Sequence, residues 1–278
     1  MKIGIVGYGY VGQATALFKS EKVEVSLWDT DASKRTVNDI KELSLCDLVF
    51  VCVPTPMNKD GSCHLNIVES VVEQLFEAGT KKQNIIVRST VPVGTCKRLG
   101  VSFMPEFLTE ANWKEDFENN DNLIFGFDTP DTWEEKLSGQ MTSEKMLELS
   151  ATVNKNAVIL STEEAELAKY VRNCFLATKV SFFNEIEEYC RELNIDYDKV
   201  RQGVCTDKRI GWSHTSVPGP DGKRGYGGTC FPKDVSSLLY QILDAKLVPM
   251  ILNQVRIRNI QIDRPEKDWE KNKGRAVI

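Results

Sequence analysis

Histidine is nearly missing from this sequence: His64 and His214 are the only two in 278 residues. A histidine-based triad and most zinc arrangements are therefore starved of parts, and no metal site is expected. The eight cysteines, at 46, 52, 63, 96, 174, 190, 205 and 230, contain no C-x-x-C pair. They are scattered along a chain too long for a disulfide-stapled miniprotein, so the ordinary fate of most is a small buried apolar residue. A basic excess is also missing. Lys+Arg is 35 against Asp+Glu 40, a net charge of −5, which excludes a general polyanion binder but not a small anionic ligand. No apolar run approaches the ~18 residues a membrane span needs, and the opening MKIGIVG is strand-like with no secretory pattern. The expectation is a cytoplasmic protein with no nucleic-acid or membrane partner. What is present is 41% apolar and 27% charged residues, enough to bury the core of one large or two modest domains.

The first half alternates short apolar runs with amphipathic stretches. Strands are predicted at Lys2 to Val6, Val23 to Trp28, Leu48 to Val53, Asn84 to Val87, Val101 to Met104, Leu123 to Phe127 and Ala157 to Leu160. Helical patterns such as Val11 to Lys19, Asn66 to Phe76 and Glu144 to Val153 lie between them, which implies a parallel sheet covered on both faces. From Glu163 to Leu193 the pattern is helical without Gly or Pro, with Ala165, Ala168, Val171, Phe175, Phe182 and Ile186 forming an apolar stripe. A glycine- and proline-rich loop over 211–230 precedes a last helical region from Asp234 to about Ile262. The tail DRPEKDWEKNKGRAVI reads as a solvated linker or frayed end. The domains expected are 1–161, 162–262 and a charged tail over 263–278.

Gly7-Tyr8-Gly9-Tyr10-Val11-Gly12 is G-x-G-x-x-G directly after a strand and opening a helix. Its glycines suit a tight turn, close approach of a pyrophosphate, and helix–strand packing. Asp29 ends the second strand, where an acid binds a ribose 2′-hydroxyl and repels a 2′-phosphate, so NAD is favoured. Lys34 is close enough in sequence to touch the adenosine end. The fold class expected is α/β, a Rossmann-type doubly wound parallel sheet, followed by an all-helical domain with a long central helix of the kind that runs between domains or builds a dimer interface. Thr55 and Thr90 sit at strand C-termini, the edge at which such sheets bind ligands. Glu106 and Glu110 share a face if their segment is helical, which suits acid/base work. Lys169 and Asn173 have the same spacing, and a lysine there can hold a developing oxyanion. In Gly227-Gly228-Thr229-Cys230-Phe231-Pro232-Lys233-Asp234, glycines let backbone and ligand come close, and a thiol stands just before a helix with lysine beside it. That is the setting of a nucleophilic thiolate.

Taken in order, GYGYVG, VPTP with DGS, STVPVG, PEFLTE, AELAKYVRNCFLATKVSFFNE, RIG and GYGGTCFPKD resemble the UDP-glucose/GDP-mannose dehydrogenase family over about residues 1–262. The resemblance implies an NAD-dependent, two-step oxidation of a sugar 6-alcohol to the uronic acid, of a kind that serves polysaccharide biosynthesis. It implies catalytic roles for Cys230 as the thiol that forms thiohemiacetal and thioester, for Lys169 and Asn173 on oxyanions, and for Asp234 and Glu106 around the water. It implies cofactor contacts from Gly7, Gly9, Tyr10, Val11, Gly12, Asp29, Lys34, Thr55, Thr90, Glu110 and Lys233. Sugar-nucleotide contacts are implied for Glu106, Lys169, Asn173, Arg209, Tyr226 and Gly227, with Arg209 reaching a neighbouring subunit of a homodimer.

Two departures from the family pattern stand out. The second Rossmann-like domain that family members carry after the central helix is absent from these residues, and Asp29 to Leu48 is short. A separate partner supplying that domain is one expectation. An NAD-binding dimeric subunit or regulator without independent turnover is the alternative function. A 3-hydroxyacid or 6-phosphogluconate-type dehydrogenase, which makes one hydride transfer and needs no thiol, is a third.

Overall fold

The computed structural model describes residues 1–128 and 133–278, the side chains of 133–141 apart. It divides into two compact units. The first holds Met1–Thr55 and His64–Lys169, and the second Pro56–Cys63 and Tyr170–Ile278.

The first unit is one seven-stranded sheet: β1 (Lys2–Val6), β2 (Glu24–Trp28), β3 (Leu48–Val51), β4 (Ile85–Val87), β5 (Ser102–Phe103), β6 (Asn122–Gly126) and β7 (Asn156–Leu160). The strand order is β2-β1-β3-β4-β5-β6-β7. Neighbours run parallel except β5 and β6, which meet antiparallel at Phe103 and Gly126. The sheet is thus mostly parallel, with one reversed junction that the sequence pattern does not announce. Helices α1 (Tyr10–Ala16), α2 (Asn66–Glu77), α3 (Thr95–Leu99), α4 (Trp113–Asn119) and α5 (Trp133–Thr152) connect the strands.

Side chains alternate across a strand, and here the alternation divides two cores. Ile3, Ile5, Leu48, Phe50 and Ile86 pack with Ala14 of α1, Phe117 of α4 and Met146 and Leu149 of α5. Val6, Val49, Val51, Ile85 and Val87 pack with Val68, Val71, Val72 and Leu75 of α2. Both faces are covered, which is why the strands read as unbroken apolar runs.

The second unit is helical. Helix α6 (Thr162–Glu192) is 31 residues long and begins in the first unit; α7 (Tyr197–Cys205), α8 (Phe231–Asp244) and α9 (Met250–Arg258) follow. The predicted stripe on α6 divides. Ala165 is buried, whereas Val171, Phe175 and Phe182 are 52%, 65% and 56% exposed. The inward face instead carries Tyr170, Cys174 and Ala177, packed against Val235, Leu238 and Leu239 of α8. The helical region expected from Asp234 to about Ile262 consists of α8 and α9 with a break between them and ends in a π-helical turn over Asn259–Asp263.

The charged tail is folded, contrary to the expectation of a solvated end. Arg264, Trp269 and Ala276 are buried, and Met57 N–H donates to Ala276 O at 2.9 Å. Some of its charges are paired within the unit, Glu266 and Asp268 with Lys223 and Arg264 with Asp268, so part of a run that looks solvated is locally neutralised. Among the described residues no helix is long and apolar enough to cross a membrane, and no His, Cys, Asp and Glu cluster could hold a metal.

Candidate active site

Strand β1 has β2 on one side and β3 on the other, so the Gly7–Gly12 turn leaves the sheet where the strand order reverses. That is the position at which open α/β sheets bind ligands. Gly7 has φ +90°, and a Cβ there would lie 2.6 Å from Cys52 O; one on Gly12 would lie 2.0 Å from Gly7 O. The chain itself therefore demands these two glycines. Gly9 differs, because a Cβ there would meet nothing within 4 Å. The amides of Val11 and Gly12 precede the α1 ladder, which starts with Gln13 N–H to Gly9 O at 2.9 Å. The turn thus offers open space and helix-start donors, which fits a dinucleotide pyrophosphate.

Asp29 braces this turn. Its Oδ2 accepts from Tyr8 N–H at 2.6 Å and its Oδ1 from Asp31 N–H at 2.8 Å. Thr30 Oγ1 adds a long contact to Oδ1 at 3.5 Å, and since a carboxylate has about four acceptor positions, capacity remains for a ribose hydroxyl. Lys34 is exposed and pairs with Asp31 at 3.5 Å. Arg35, which the sequence pattern does not single out, donates to Asp29 O at 2.5 Å and lies over the Trp28 ring. Thr55 and Thr90 are both buried at strand C-termini, and the loops carrying them are joined by Ser89 Oγ donating to Val53 O at 2.6 Å.

These roles separate by substitution. Gly9→Ala is expected to leave thermal stability within about 0.5 kcal/mol of the parent, while lowering NAD affinity on the order of tenfold as the new methyl fills ligand space. Gly12→Ala is expected to lower both, since the Gly7 carbonyl has to move. Calorimetric NAD titration beside thermal unfolding distinguishes the two. Unaltered NAD binding in Gly9→Ala would remove that residue from the cofactor site.

Glu106 and Glu110 do not share a helical face, because the segment between Met104 and Glu110 is extended coil and α4 starts only at Trp113. Met104 and Pro105 lie between the end of β5 at Phe103 and Glu106, and Met104, preceding a proline, is kept out of the helical region. Glu110 is exposed, while Glu106 is buried against Lys169. Lys169 Nζ donates to Glu106 Oε1 and to Glu106 O, both at 2.7 Å, and Leu108 N–H donates to Oε2 at 2.7 Å. Burial pushes the Glu106 carboxyl up, but the Lys169 charge and hydrogen bond, the Leu108 amide and Arg88 outweigh it and hold the group below the usual range. Glu106 is therefore a carboxylate, equipped to accept a proton rather than to donate one.

Two further buried charges support this unit. Arg88 donates to Thr15 Oγ1 of α1 at 2.8 Å beneath the glycine turn. Glu166 accepts from Gly94 N–H at 2.6 Å and from Cys96 N–H at 2.8 Å, tying the loop after β4 to α6. Burial raises its pKa, with the Gly94 and Cys96 amides opposing. Glu166 stands inside a quoted motif and Arg88 directly before one, but a single sequence does not reveal that they are inside the protein.

In the second unit Cys230 is the N-cap of α8, half-buried, with Pro232 in the first turn. Asp234 is 1% exposed. Its carboxylate accepts from Lys233 Nζ at 2.5 Å and from Asn173 Nδ2 at 2.5 Å. Burial opposes the Lys233 charge, yet Asp234 and the thiols of Cys230 and Cys63 raise its pKa, so it stays an ammonium beside the thiol. The other cysteines behave as packing: burial pushes the Cys46 thiol up to about 11 and raises those of Cys52, Cys96 and Cys174.

The glycines leading to Cys230 have a different cause from the one expected. A Cβ on Gly225 would lie 2.4 Å from Asn259 Oδ1, and one on Gly227 would lie 2.5 Å from Arg264 Cζ. The protein's own side chains occupy those spaces, and only Gly228 faces open space. Tyr226 is buried against Phe231, with its N–H and C=O both held by Asn259. Arg209 is 90% exposed at its side chain and paired with Asp207 at 2.6 Å.

A glycine turn at the reversal of a mostly parallel sheet, followed by a helical unit, defines a dinucleotide-binding α/β protein of the Rossmann type. Residues 34–139 match the NAD binding domain of the UDP-glucose/GDP-mannose dehydrogenase family, and residues 163–261 match its central domain. The chain belongs to the UDP-glucose/GDP-mannose dehydrogenase family, and NAD is its cofactor. It is 31% identical to UDP-glucose 6-dehydrogenase of Pseudomonas aeruginosa, over 93% of this chain and 65% of that one. It is 32% identical to UDP-glucose 6-dehydrogenase of Rickettsia bellii, over 81% and 52%. The chain thus spans less than two thirds of the length of these curated relatives. Its fold is similar to that of a UDP-glucose dehydrogenase from Pyrobaculum islandicum, with TM-score 0.81, 26% identity, and coverage of 93% of this chain and 67% of the other. A 3-hydroxyisobutyrate dehydrogenase of Mycobacterium tuberculosis shares the fold alone, at 14% identity and TM-score 0.69, over 94% and 92% of the two chains.

Proposed function

We propose that the chain oxidises the 6-alcohol of a nucleotide sugar to the carboxylate in two steps, of the UDP-glucose to UDP-glucuronate or GDP-mannose to GDP-mannuronate type. The observation that carries this reading is Cys230 at the start of α8, with Lys233 held as an ammonium by an Asp234 carboxylate that Asn173 also binds. A dehydrogenase that makes one hydride transfer has no use for that thiol. When bound at the Gly7–Gly12 turn, NAD supplies the hydride acceptor for each oxidation.

In this reading the 6-hydroxyl loses its proton to a base and the 6-carbon loses a hydride, which leaves the aldehyde. The Cys230 thiolate then adds to the aldehyde carbon. A C–S bond forms, and the carbonyl oxygen becomes an oxyanion that Lys169 and Asn173 are equipped to stabilise. Loss of the second hydride from the same carbon leaves a thioester. Water attacks its carbonyl carbon, Glu106 as a carboxylate accepts a proton from that water, and the C–S bond breaks to return the Cys230 thiolate and release the acid. Asp234 positions Lys233 and Asn173 throughout. The exposed apolar residues of α6, Val171, Phe175, Phe182 and Tyr189, support a homodimer in which Arg209 serves the neighbouring subunit's sugar nucleotide. A partner chain carrying the family's further domain is the other association proposed.

The test is NADH formed per sugar nucleotide consumed, with UDP-glucose and GDP-mannose supplied separately. Two NADH per sugar is the expected result, and the preferred substrate identifies the base and the sugar configuration. One NADH per turnover would overturn the thioester route. None with either sugar, while NAD still binds, would favour a subunit or regulator without independent turnover.

A further inference from the structure

The glycine-rich approach to Cys230 is gripped by the C-terminal segment of the second unit. Asn259 is fully buried at the start of the π-helical turn. Its Oδ1 accepts from Tyr226 N–H at 2.8 Å, and its Nδ2 donates to Tyr226 O at 2.9 Å. One side-chain amide thereby pairs with both main-chain groups of one loop residue, as a neighbouring strand would. Gly225 N–H is taken separately by Asn184 Oδ1 of α6 at 3.1 Å. Two residues beyond Gly225, the Arg264 guanidinium lies against Gly227, where even a methyl would come within 2.5 Å of Cζ.

Arg264 is itself fixed. Its Nε donates to Asp268 Oδ1 at 2.8 Å and its Nη2 to Asp268 Oδ2 at 2.8 Å, a two-point fork. Nη2 also donates to Asp221 Oδ2 at 2.6 Å, within the loop that leads into Gly225. Arg264 N–H bonds to Asn259 O at 2.7 Å, so the two gripping residues are locked to each other. Cys230 follows Gly227 by three residues, with Gly228 in a left-handed conformation (φ +73°) between them. Without an outside grip such a stretch is free to sample many conformations, because glycine loses more entropy on ordering than any other residue.

We infer that Asn259 to Asp268 forms a clasp on the Gly225–Cys230 loop, with Asn259 and Arg264 as positioning residues that set where the Cys230 thiol stands. The inference rests on the proposed role of Cys230 as nucleophile, and it assigns function to a segment whose part from Asp263 onward suggests a solvated tail by composition. Neither residue touches the reacting atoms. Each acts through the loop.

The test uses the full chain with two clasp variants, Asn259→Ser and the milder Arg264→Lys, which keeps a cation but loses the fork. Tyr197→Phe is the control, since it removes a buried hydrogen bond to Thr215 O elsewhere in the same unit. Hydrogen exchange of peptides covering 225–230 is expected to accelerate tenfold or more in both clasp variants and not in the control, at matched losses of thermal stability. In the same proteins kcat for NADH formation is expected to fall by about tenfold to a hundredfold, as for a misplaced reacting group, with KM for the sugar nucleotide nearly constant. Exchange at 225–230 that rises no more than in Tyr197→Phe would overturn the clasp. Faster exchange with unchanged kcat in an active enzyme would overturn the positioning role. If the parent makes no NADH, the nucleophile reading fails on its own, and the exchange comparison still decides the clasp.

Discussion

Lys169→Met is expected to destabilise the protein by about 3–5 kcal/mol, the cost of removing one partner from a buried ion pair. Lys169 and Glu106 are 2% and 4% exposed, so solvent neither screens their attraction nor takes over when it is lost. Glu106 would retain Leu108 N–H at 2.7 Å but lose the ammonium that satisfies its other oxygen. A buried carboxylate in that state is costly until it binds a proton. The pH dependence follows from the direction of the Glu106 shift. A folded pKa below the unfolded one adds stability that is present above the ordinary carboxylate range and is lost as pH falls through the lowered value. In Lys169→Met the largest lowering influence is gone and burial pushes the Glu106 carboxyl up, so acid protonates and relieves it, and the deficit of the variant relative to the parent narrows as pH falls. Adding Glu106→Gln removes the stranded charge and is expected to recover most of the stability, but not the activity. Urea unfolding of the four proteins across pH measures the coupling as a double-mutant cycle. Additive losses would show that the pair is not energetically coupled.

The sheet was legible because its physics is local. β-branched runs buried on both faces need no outside partner to be recognised, and the first and third glycines of Gly7–Gly12 answer clashes within the same short turn and the adjacent strand end. The identities of Lys169, Asn173, Cys230 and Asp234 were legible from their motifs, but their connections were not. Glu106 and Lys169 are 63 residues apart, and nothing in PEFLTE says that the first acid turns inward while the second stays in water. Spacing of four suggested a helix, whereas the segment is coil up to Thr109. Arg264 and Trp269 were lost in a charged run because their partners, Asp221 for one and the interior of the unit for the other, are not visible from composition. The glycines of GYGGTC were read as room for a ligand, whereas two of the three make room for Asn259 and Arg264.

Cys230→Ser is expected to lower steady-state NADH formation by about a thousandfold or more, since in the proposed route the thiolate carries the second oxidation. Fold stability should change little. Cys230 is half-buried, and the Lys233–Asp234–Asn173 hydrogen bonds do not run through its sulfur. That separation makes the experiment sharp, because a loss of turnover cannot be assigned to a loss of structure. A serine hydroxyl at neutral pH is a far weaker nucleophile than a thiolate, so the first oxidation can proceed while the covalent step stalls. A single-turnover reaction should therefore yield no more than one NADH per sugar. The parent, quenched during turnover, should carry a glycosyl-acyl mass on the peptide containing Cys230, and the variant should not. Asp234→Asn is the informative companion. It removes the carboxylate charge that pairs with Lys233 without altering the sulfur, so the thiol should remain present but acylate more slowly. Two NADH per sugar at the parental rate in Cys230→Ser would show that the oxidation runs without the thiol and would leave the Cys230 cluster a structural feature of α8.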